Sequence, residues 1–274
     1  MKRILVATDY SEPANNAVEY AAQLARAFKA ELVLFNVFKM SIHASNAMVS
    51  TTSIEIQKEK NKHRLLEQAR EINERFGINV DCEIGKDDTV ESLKKITGHH
   101  PVNLVVMGIQ SGLVAYKMFG NTTTAAIKLM RFPLLVVPNQ VTFQGINKIM
   151  YACDETYLKD GRELSTIKKL TTTFGAQLEV FHVLTNHKEG DKNKVLEDLL
   201  DELLSDVIHT YRYVHNPSVY DGILAGLDQN PADLLVMIHH KPGFMEALVK
   251  GSHSSQMTVN THLPLLVIPN EQAN

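Results

Sequence analysis

The sequence predicts an α/β protein built from two tandem, five-stranded, parallel, doubly wound units. One observation is a repeat, because four segments of the first half return in the same order in the second half. The other is a steady alternation of short β-rich apolar runs with amphipathic stretches of helical period, which is typical of parallel sheets covered by helices. The matched segments are 2–9 with 148–154, 35–37 with 181–183, 104–107 with 234–237, and 133–138 with 264–269.

The first copy opens with a short apolar run at 4–8, which is typical of a strand buried on both faces. Ser11 is a suitable N-cap and Pro13 suits the first turn, so a helix is expected over 14–28. A polar stretch over 38–53 is expected to form a loop, and Gly77 is expected to end a long charged helix whose polar side faces solvent. Further strands are expected at 32–37, 79–84, 102–107 and 134–137, and further helices at 54–76, 89–99 and 122–131.

The second copy repeats this plan in fewer residues. The offset between the copies falls from 145 at Asp9 and Asp154 to 131 at Pro133 and Pro264, so the second copy is about fourteen residues shorter. We expect a linker at 139–147 and domains at 1–140 and 146–274. Strands are expected at 148–153, 177–183, 211–215, 234–238 and 265–268, and helices at 160–174, 192–208, 218–228 and 253–261.

The amino-acid composition and net charge argue against several classes of function. A chain of 274 residues with 44% apolar and 22% charged residues is expected to be a globular protein with two cores. Its net charge of -3 argues against a nucleic-acid partner, and the absence of a long apolar run argues against a membrane span or a signal peptide. Cys82 and Cys153 lie in apolar strand-like segments, which favours free buried thiols and a cytoplasmic location.

Ligands of open parallel sheets bind beyond the carboxyl ends of the strands, where the strand order reverses. Three segments of the first copy are expected to meet there: Thr8 with Asp9, Val37, and the stretch 107–123. That stretch carries glycines and then a helix start with hydroxyl side chains, a combination that suits a phosphate. Asp9 would accept hydrogen bonds from an adenine amino group or a ribose hydroxyl.

Several of these residues carry a family resemblance. The runs 4–11, 106–108 and 133–138, together with Gly120, resemble the universal stress protein family, and the resemblance extends over both copies. It implies a Rossmann-like, adenine nucleotide alpha hydrolase-like fold in a stress-response protein that binds ATP, with Mg as an accompanying ion. The candidate nucleotide-binding residues are Thr8, Asp9, Val37, Met107, Gly108, Gly112, Gly120, Asn121, Thr122 and Thr123.

The glycine loop departs from the family's ATP pattern of Gly, two residues, Gly, nine residues, Gly and Ser or Thr. Ser111 stands where the second glycine is expected, with Gly112 one place later, and Asn121 replaces the hydroxyl residue after Gly120. In the second copy Ile238 replaces Gly108, although Asp154 survives. We therefore expect ATP in the first copy and weak or no ATP binding in the second.

Other interpretations stay open. The glycines would serve only as turns in a non-nucleotide module that acts through unknown protein partners. Weak ATP hydrolysis is a third alternative, although no catalytic residue is identified and no Walker-type or nucleophile-elbow motif is present. A zinc site is less favoured than hydrogen-bonded or exposed histidines; its candidate ligands are His182, His239, His240 and His253.

The closing strands bear on assembly. Segments 134–137 and 265–268 are short, apolar and bracketed by prolines, and apolar edge strands need cover. In the family such strands pair about a two-fold axis. A tandem chain would make that pair within itself, as an intramolecular pseudo-dimer, and the same strands would also suit a homodimer.

Overall fold

Strands and helices alternate along the first half, and along the second half as far as residue 239. The computed structural model describes residues 1–38, 51–86, 88–99, 101–110, 121–129, 132–153, 161–185, 190–239 and 263–269. The strands of the first half are β1 (Arg3–Ala7), β2 (Glu31–Phe38), β3 (Val80–Lys86), β4 (Leu104–Ile109) and β5 (Leu134–Pro138). Its helices are α1 (Glu12–Phe28), α2 (Thr51–Phe76), α3 (Thr89–His99) and α4 (Asn121–Leu129).

The second half repeats the arrangement. Its strands are β6 (Lys148–Ala152), β7 (Gln177–Leu184), β8 (His209–His215), β9 (Leu234–His239) and β10 (Leu265–Pro269). A 3-10 turn at Arg162–Leu164 leads into α5 (Ser165–Phe174), which is followed by α6 (Gly190–Leu203) and α7 (Val219–Gln229). None of the helices within the described ranges combines the length and the apolar character that a membrane crossing requires.

All ten strands form one sheet in the order β3-β2-β1-β4-β5-β10-β9-β6-β7-β8. Pairing is parallel within each half. The junction of the halves is the exception, because β5 and β10 run antiparallel with Leu135 opposite Leu266. This is the pairing within one chain that was expected of the two proline-bracketed strands. The carboxyl ends of the strands therefore point in opposite directions in the two halves.

The core has two layers, one on each face of the sheet. Along β1, Ile4 and Val6 pack with α1 and α2, while Leu5 points to the opposite layer, where it joins residues of α3 and α4. This alternation follows from the two-residue period of a strand. Both layers continue into the second half, since Tyr151 belongs to the first cluster and Phe181 to the second.

Helix α1 begins and ends as its sequence predicts. The hydroxyl of Ser11 accepts a hydrogen bond from the backbone N–H of Ala14 at 3.4 Å, and Pro13 lies in the first turn, so the predicted cap is confirmed. Lys29 adopts a left-handed conformation with φ of 50° and ends the helix. The equivalent helix α5 ends at Gly175 with φ of 62°.

Two helices of the second half differ from the sequence prediction. The helix predicted at 192–208 ends at Leu203, because the chain must turn through 204–207 before β8 pairs with β7 from His209 onward. The helix predicted at 160–174 begins as the 3-10 turn and becomes α-helical only at Ser165. The helix predicted at 253–261 lies outside the described residues.

Candidate functional site

The carboxyl ends of β1, β2 and β4 adjoin at one edge of the first half. Ala7 of β1 lies opposite Phe35 of β2 on one side and opposite Met107 of β4 on the other. Strand order reverses between β1 and β4, because β2 and β3 continue to one side and β5 to the other. This is the position at which ligands of open α/β sheets bind.

The turn from β1 to α1 fixes one oxygen of an exposed carboxylate. Oδ1 of Asp9 accepts hydrogen bonds from the backbone N–H of Ser11 at 3.0 Å and from its hydroxyl at 2.5 Å. Thr8 is buried and its N–H donates to the carbonyl of Phe35 at 2.8 Å. Tyr10 has φ of 64°, a left-handed conformation that side chains other than glycine rarely adopt. The turn therefore holds Asp9 in a defined place at the sheet edge.

The buried side-chain amide of Asn36 holds the backbone of this turn. Asn36 is 3% exposed, and its Nδ2 donates to the carbonyl of Thr8 at 2.7 Å. Its Oδ1 accepts from Nδ2 of Asn61 on α2 at 2.8 Å. Both ends of the Asn36 amide are thus paired, and the pairing links α2 to the backbone directly before Asp9.

Helix α2 contacts the same turn along one polar face. The guanidinium of Arg64 lies 3.9 Å from the ring centre of Tyr10, and the Tyr10 hydroxyl donates to the carbonyl of Asn61 at 3.2 Å. Gln68 donates to Asn15 at 3.2 Å. Because these positions on α2 are three to four residues apart, they share a side of the helix. The charged residues of this helix are exposed, as the sequence predicted, but Asn61, Arg64 and Gln68 also contact the turn.

The remaining candidate residues lie near the ends of β2 and β4 and at the start of α4, and they differ in burial. Val37 is half-buried near the end of β2, opposite Gly85, and Met107 is 6% exposed in β4. Helix α4 begins at Asn121, so Thr122 and Thr123 belong to its first turn, where Thr122 is half-buried and Thr123 is buried. Gly112 and Gly120 lie outside the described residues.

Gly108 has a structural reason to be glycine. A Cβ at this position would lie 2.1 Å from the carbonyl oxygen of Pro13 and 2.9 Å from the backbone nitrogen of Ala14. The end of β4 therefore packs directly against the first turn of α1, and no side chain fits between them. Packing explains this glycine without a ligand, whereas its sequence interpretation rested on the approach of a nucleotide.

The equivalent edge of the second half differs in its polar groups. His182 stands where Asn36 stands in the first half, and its Nδ1 lies 2.9 Å from the carbonyl oxygen of Cys153. Ile238 in β9 is buried. No group of three or more metal-binding side chains occurs among the described residues; the side chain of His239 and all of His240 and His253 lie outside them.

Two features of the site were not predicted from the sequence. The left-handed Tyr10 has no signal of its own, because residues other than glycine take this conformation only in particular surroundings. The helical spacing of Asn61, Arg64 and Gln68 is a sequence pattern that indicates a shared contact face. Charged residues on the same turns of the helix obscured that pattern.

Comparison with known proteins supports the expectation from the repeat. The model of the universal stress protein family matches residues 1–138, which is half of the chain. No curated protein sequence matches the chain. Among solved structures, a universal stress protein from Archaeoglobus fulgidus DSM 4304 aligns with a TM-score of 0.75 and 18% identity over 97% of this chain and 98% of that one.

A protein of unknown function from Pseudomonas aeruginosa PAO1 aligns with a TM-score of 0.62 and 13% identity, covering 100% of this chain and 94% of that one. At these identities the likeness concerns the fold. It is nevertheless a likeness over both halves at once. The chain belongs to the universal stress protein family.

Proposed function

We propose that the first half binds an adenine nucleotide, with ATP and Mg as the leading candidates, and that the protein acts in a cytoplasmic stress response. The site is the carboxyl edge of β1, β2 and β4. The proposed contacts are those of the candidate residues, with Asp9 and Val37 against the adenosine and the first turn of α4 against the phosphates.

The arrangement of Asp9 carries this proposal. Ser11 holds Oδ1, while Oδ2 has no hydrogen bond among the described residues and the side chain is exposed. A carboxylate oxygen held in this way is a ready acceptor for a ribose hydroxyl or an adenine amino group. It stands at the point of strand reversal, where a ligand would be expected.

Neighbouring groups supply the other parts of a nucleotide site. Val37 offers a half-buried apolar side chain for one face of a base. The start of α4 at Asn121 offers backbone N–H groups and the positive end of a helix dipole to a phosphate. The support of Thr8 by Asn36 would hold the Asp9 turn in place before the ligand arrives.

A second candidate function is favoured by the packing at Gly108. Because the contact with Pro13 accounts for that glycine, the first half is also consistent with a module that binds protein partners and no nucleotide. The two proposals differ in one measurable property, which is whether ATP binds at all.

Calorimetric titration with ATP and Mg tests the proposal. We expect binding by the native protein and a roughly tenfold or greater loss in Asp9→Asn, since hydrogen bonds to charged groups contribute about 1.5–3 kcal/mol. Asp154→Asn is the matched control, because the repeat places Asp154 at the equivalent position of the second half. It should leave the affinity unchanged.

Two results would count against nucleotide binding in the first half. No heat from ATP, ADP or AMP in the native protein would leave the interaction module as the better function. Equal losses in Asp9→Asn and Asp154→Asn would remove the assignment to the first half. Gly108→Val is not a useful test, because it would disturb the contact with Pro13 whether or not a ligand binds there.

A further inference from the structure

A cavity lies between the halves, away from the proposed nucleotide site. It has a volume of about 400 Å³, which is within the range of small-molecule sites. The amino-terminal edge of the first half forms one wall, and the 3-10 turn, the first turns of α5 and the end of β10 form the other. Its lining includes Asn103, Arg162, Glu163, Thr166, Lys169 and Ile268.

The equivalent space at the amino-terminal edge of the second half contains an aromatic ring. Asn103 accepts hydrogen bonds from the N–H groups of Lys2 and Arg3, just as Asp233 accepts from those of Asn147 and Lys148, so the two residues mark equivalent corners. Beside Asp233 the space contains Tyr20, whose ring centre lies 5.0 Å from that of Phe143 in the linker.

Two differences between the halves change the space beside Asn103, and the smaller side chain at Thr166 is the one that opens it. Counting back from the helix ends at Phe28 and Phe174 aligns Tyr20 with Thr166 and Ala17 with Glu163. The second half thus has a small hydroxyl where the first half has a buried aromatic ring. It also has a carboxylate where the first half has a methyl group.

Glu163 is incompletely satisfied. The residue is 8% exposed, and its Oε2 is buried without a hydrogen-bond partner among the described residues. A buried carboxylate oxygen without a donor is costly and is rare in folded proteins. Since Glu163 lines the cavity, a donor bound there is the simplest way to satisfy it.

The lining of the cavity also carries positive charge. Lys169 forms no ion pair in the described part of the chain, and burial together with the charge of Lys169 lowers the pKa of the Met1 amino group, which also lines the cavity. Six positions separate Lys169 from Glu163, a distance of roughly 9–10 Å along the helix axis. The wall formed by the first half includes the apolar residues Val102, Phe132 and Pro133.

We propose that this cavity binds a short linear molecule with an ammonium group at one end and an anionic group at the other. The ammonium would donate to Glu163, the anionic group would pair with Lys169, and the methylene chain between them would lie on the apolar wall. The cavity is separate from the carboxyl edge of β1, β2 and β4, where the nucleotide is proposed to bind. The proposal therefore does not depend on nucleotide binding.

Titration with ω-amino acids tests this proposal. The probes are 4-aminobutanoate, 5-aminopentanoate and 6-aminohexanoate, with pentanoate and pentylamine as compounds that lack one charged end. We expect at least one ω-amino acid to bind the native protein, and its affinity should exceed that of both single-ended compounds by at least about tenfold. Failure of all three ω-amino acids to bind overturns the proposal.

Two variants test whether the ω-amino acid binds in this cavity. Glu163→Gln should weaken the best probe by about tenfold or more, while Glu202→Gln, an exposed residue of α6, should leave it unchanged. Thr166→Tyr should abolish binding by introducing the ring that Tyr20 supplies in the other half. Binding that is equal in the native protein and Glu163→Gln refutes the assignment even if Thr166→Tyr does not fold. ATP affinity serves as the independent readout and should be the same in native protein and Glu163→Gln.

Discussion

Asn36 and His182 occupy equivalent positions in the two halves and hold equivalent backbone atoms. Nδ2 of Asn36 donates to the carbonyl of Thr8 at 2.7 Å, and Nδ1 of His182 lies 2.9 Å from the carbonyl of Cys153. Both carbonyls lie just after the first strand of their half. The fold therefore needs a side-chain donor at this place, but it accepts either an amide or an imidazole. For His182 this contact also supplies a role that requires no metal.

Removal of the Asn36 amide should destabilise the protein. Asn36→Ala leaves the Thr8 carbonyl and the Asn61 amide without their partner, so we expect the free energy of unfolding to fall by about 1–3 kcal/mol. Urea unfolding measures the change. Gln57→Ala, at an exposed position of α2, is the control and should change stability by less than about 0.5 kcal/mol. Equal effects of the two substitutions would show that the buried amide contributes nothing specific.

A methyl group at Gly108 should also destabilise the fold. Gly108→Ala places a Cβ 2.1 Å from the Pro13 carbonyl oxygen, and relief of that clash should cost about 1–3 kcal/mol. Gly98→Ala is the matched control, because no atom lies within 4 Å of its added Cβ and the residue belongs to α3. That change should raise stability by about 0.5–1 kcal/mol. Thermal unfolding of both variants distinguishes close packing from a general cost of replacing glycine.

The second half contains a buried ion cluster around Glu179. Glu179 is 6% exposed and lies 3.4 Å from Nζ of Lys148 and 3.5 Å from the Arg212 guanidinium, and it accepts from Asn230 at 2.6 Å. Glu179→Gln leaves both cations without their buried counter-charge. We expect a loss of about 3 kcal/mol in urea unfolding, since breaking a buried pair costs about 3–5 kcal/mol. A loss below about 1 kcal/mol would mean that water already compensates these charges.

Cys82 should react slowly in the folded protein. Burial, together with the charges of Asp81 and Glu83, raises the pKa of the Cys82 thiol from its usual value near 9 to about 11. At pH 8 the folded protein should therefore contain about 100-fold less Cys82 thiolate than the unfolded chain, and the thiolate is the reactive form. Alkylation by iodoacetamide in the Cys153→Ser background, with and without urea, measures this ratio.

The raised pKa of the Cys82 thiol also determines the direction in which the free energy of unfolding changes with pH. Between about pH 9 and 11 the unfolded chain releases a proton that the folded chain retains. The free energy of unfolding should therefore fall as pH rises through this window, and it should not change on this account below it. Comparison with Cys82→Ser isolates the contribution; identical slopes in the two proteins would contradict the raised pKa.

The sequence predicted those parts of the fold that rest on repeated apolar patterns. The strand that begins at Lys148 and the helix Thr89–His99 were predicted within a residue or two, because burial on a sheet face leaves a periodic signature. The end of α6 at Leu203 was not predicted, because the apolar pattern runs past it into Val207 and Ile208. There the position of β8 in the sheet, rather than the helical pattern, decides where the helix ends.

The sequence predicted which strand ends would meet, but not the contacts around them. The rule for open parallel sheets and the motif at Asp9 were enough to expect the ends of β1, β2 and β4 at one edge, where the structure has them. The structural role of Gly108 was not predictable. A glycine that leaves room for a ligand and a glycine that leaves room for a packed helix cannot be distinguished in sequence. Only the position of Pro13 in the fold distinguishes them. The support of the turn by Asn61 likewise depends on how α2 packs.

The antiparallel junction of β5 with β10 has a consequence for how the two halves evolve. In a symmetric homodimer every substitution occurs on both sides of the interface at once. Here Leu135 and Leu266 face each other from one chain, so a change in either half leaves the other untouched. A chain that carries both halves thus allows them to differ without loss of the shared sheet. Tyr20 and Thr166 are an example, because the first half has an aromatic ring where the second half has a small hydroxyl side chain that lines the cavity.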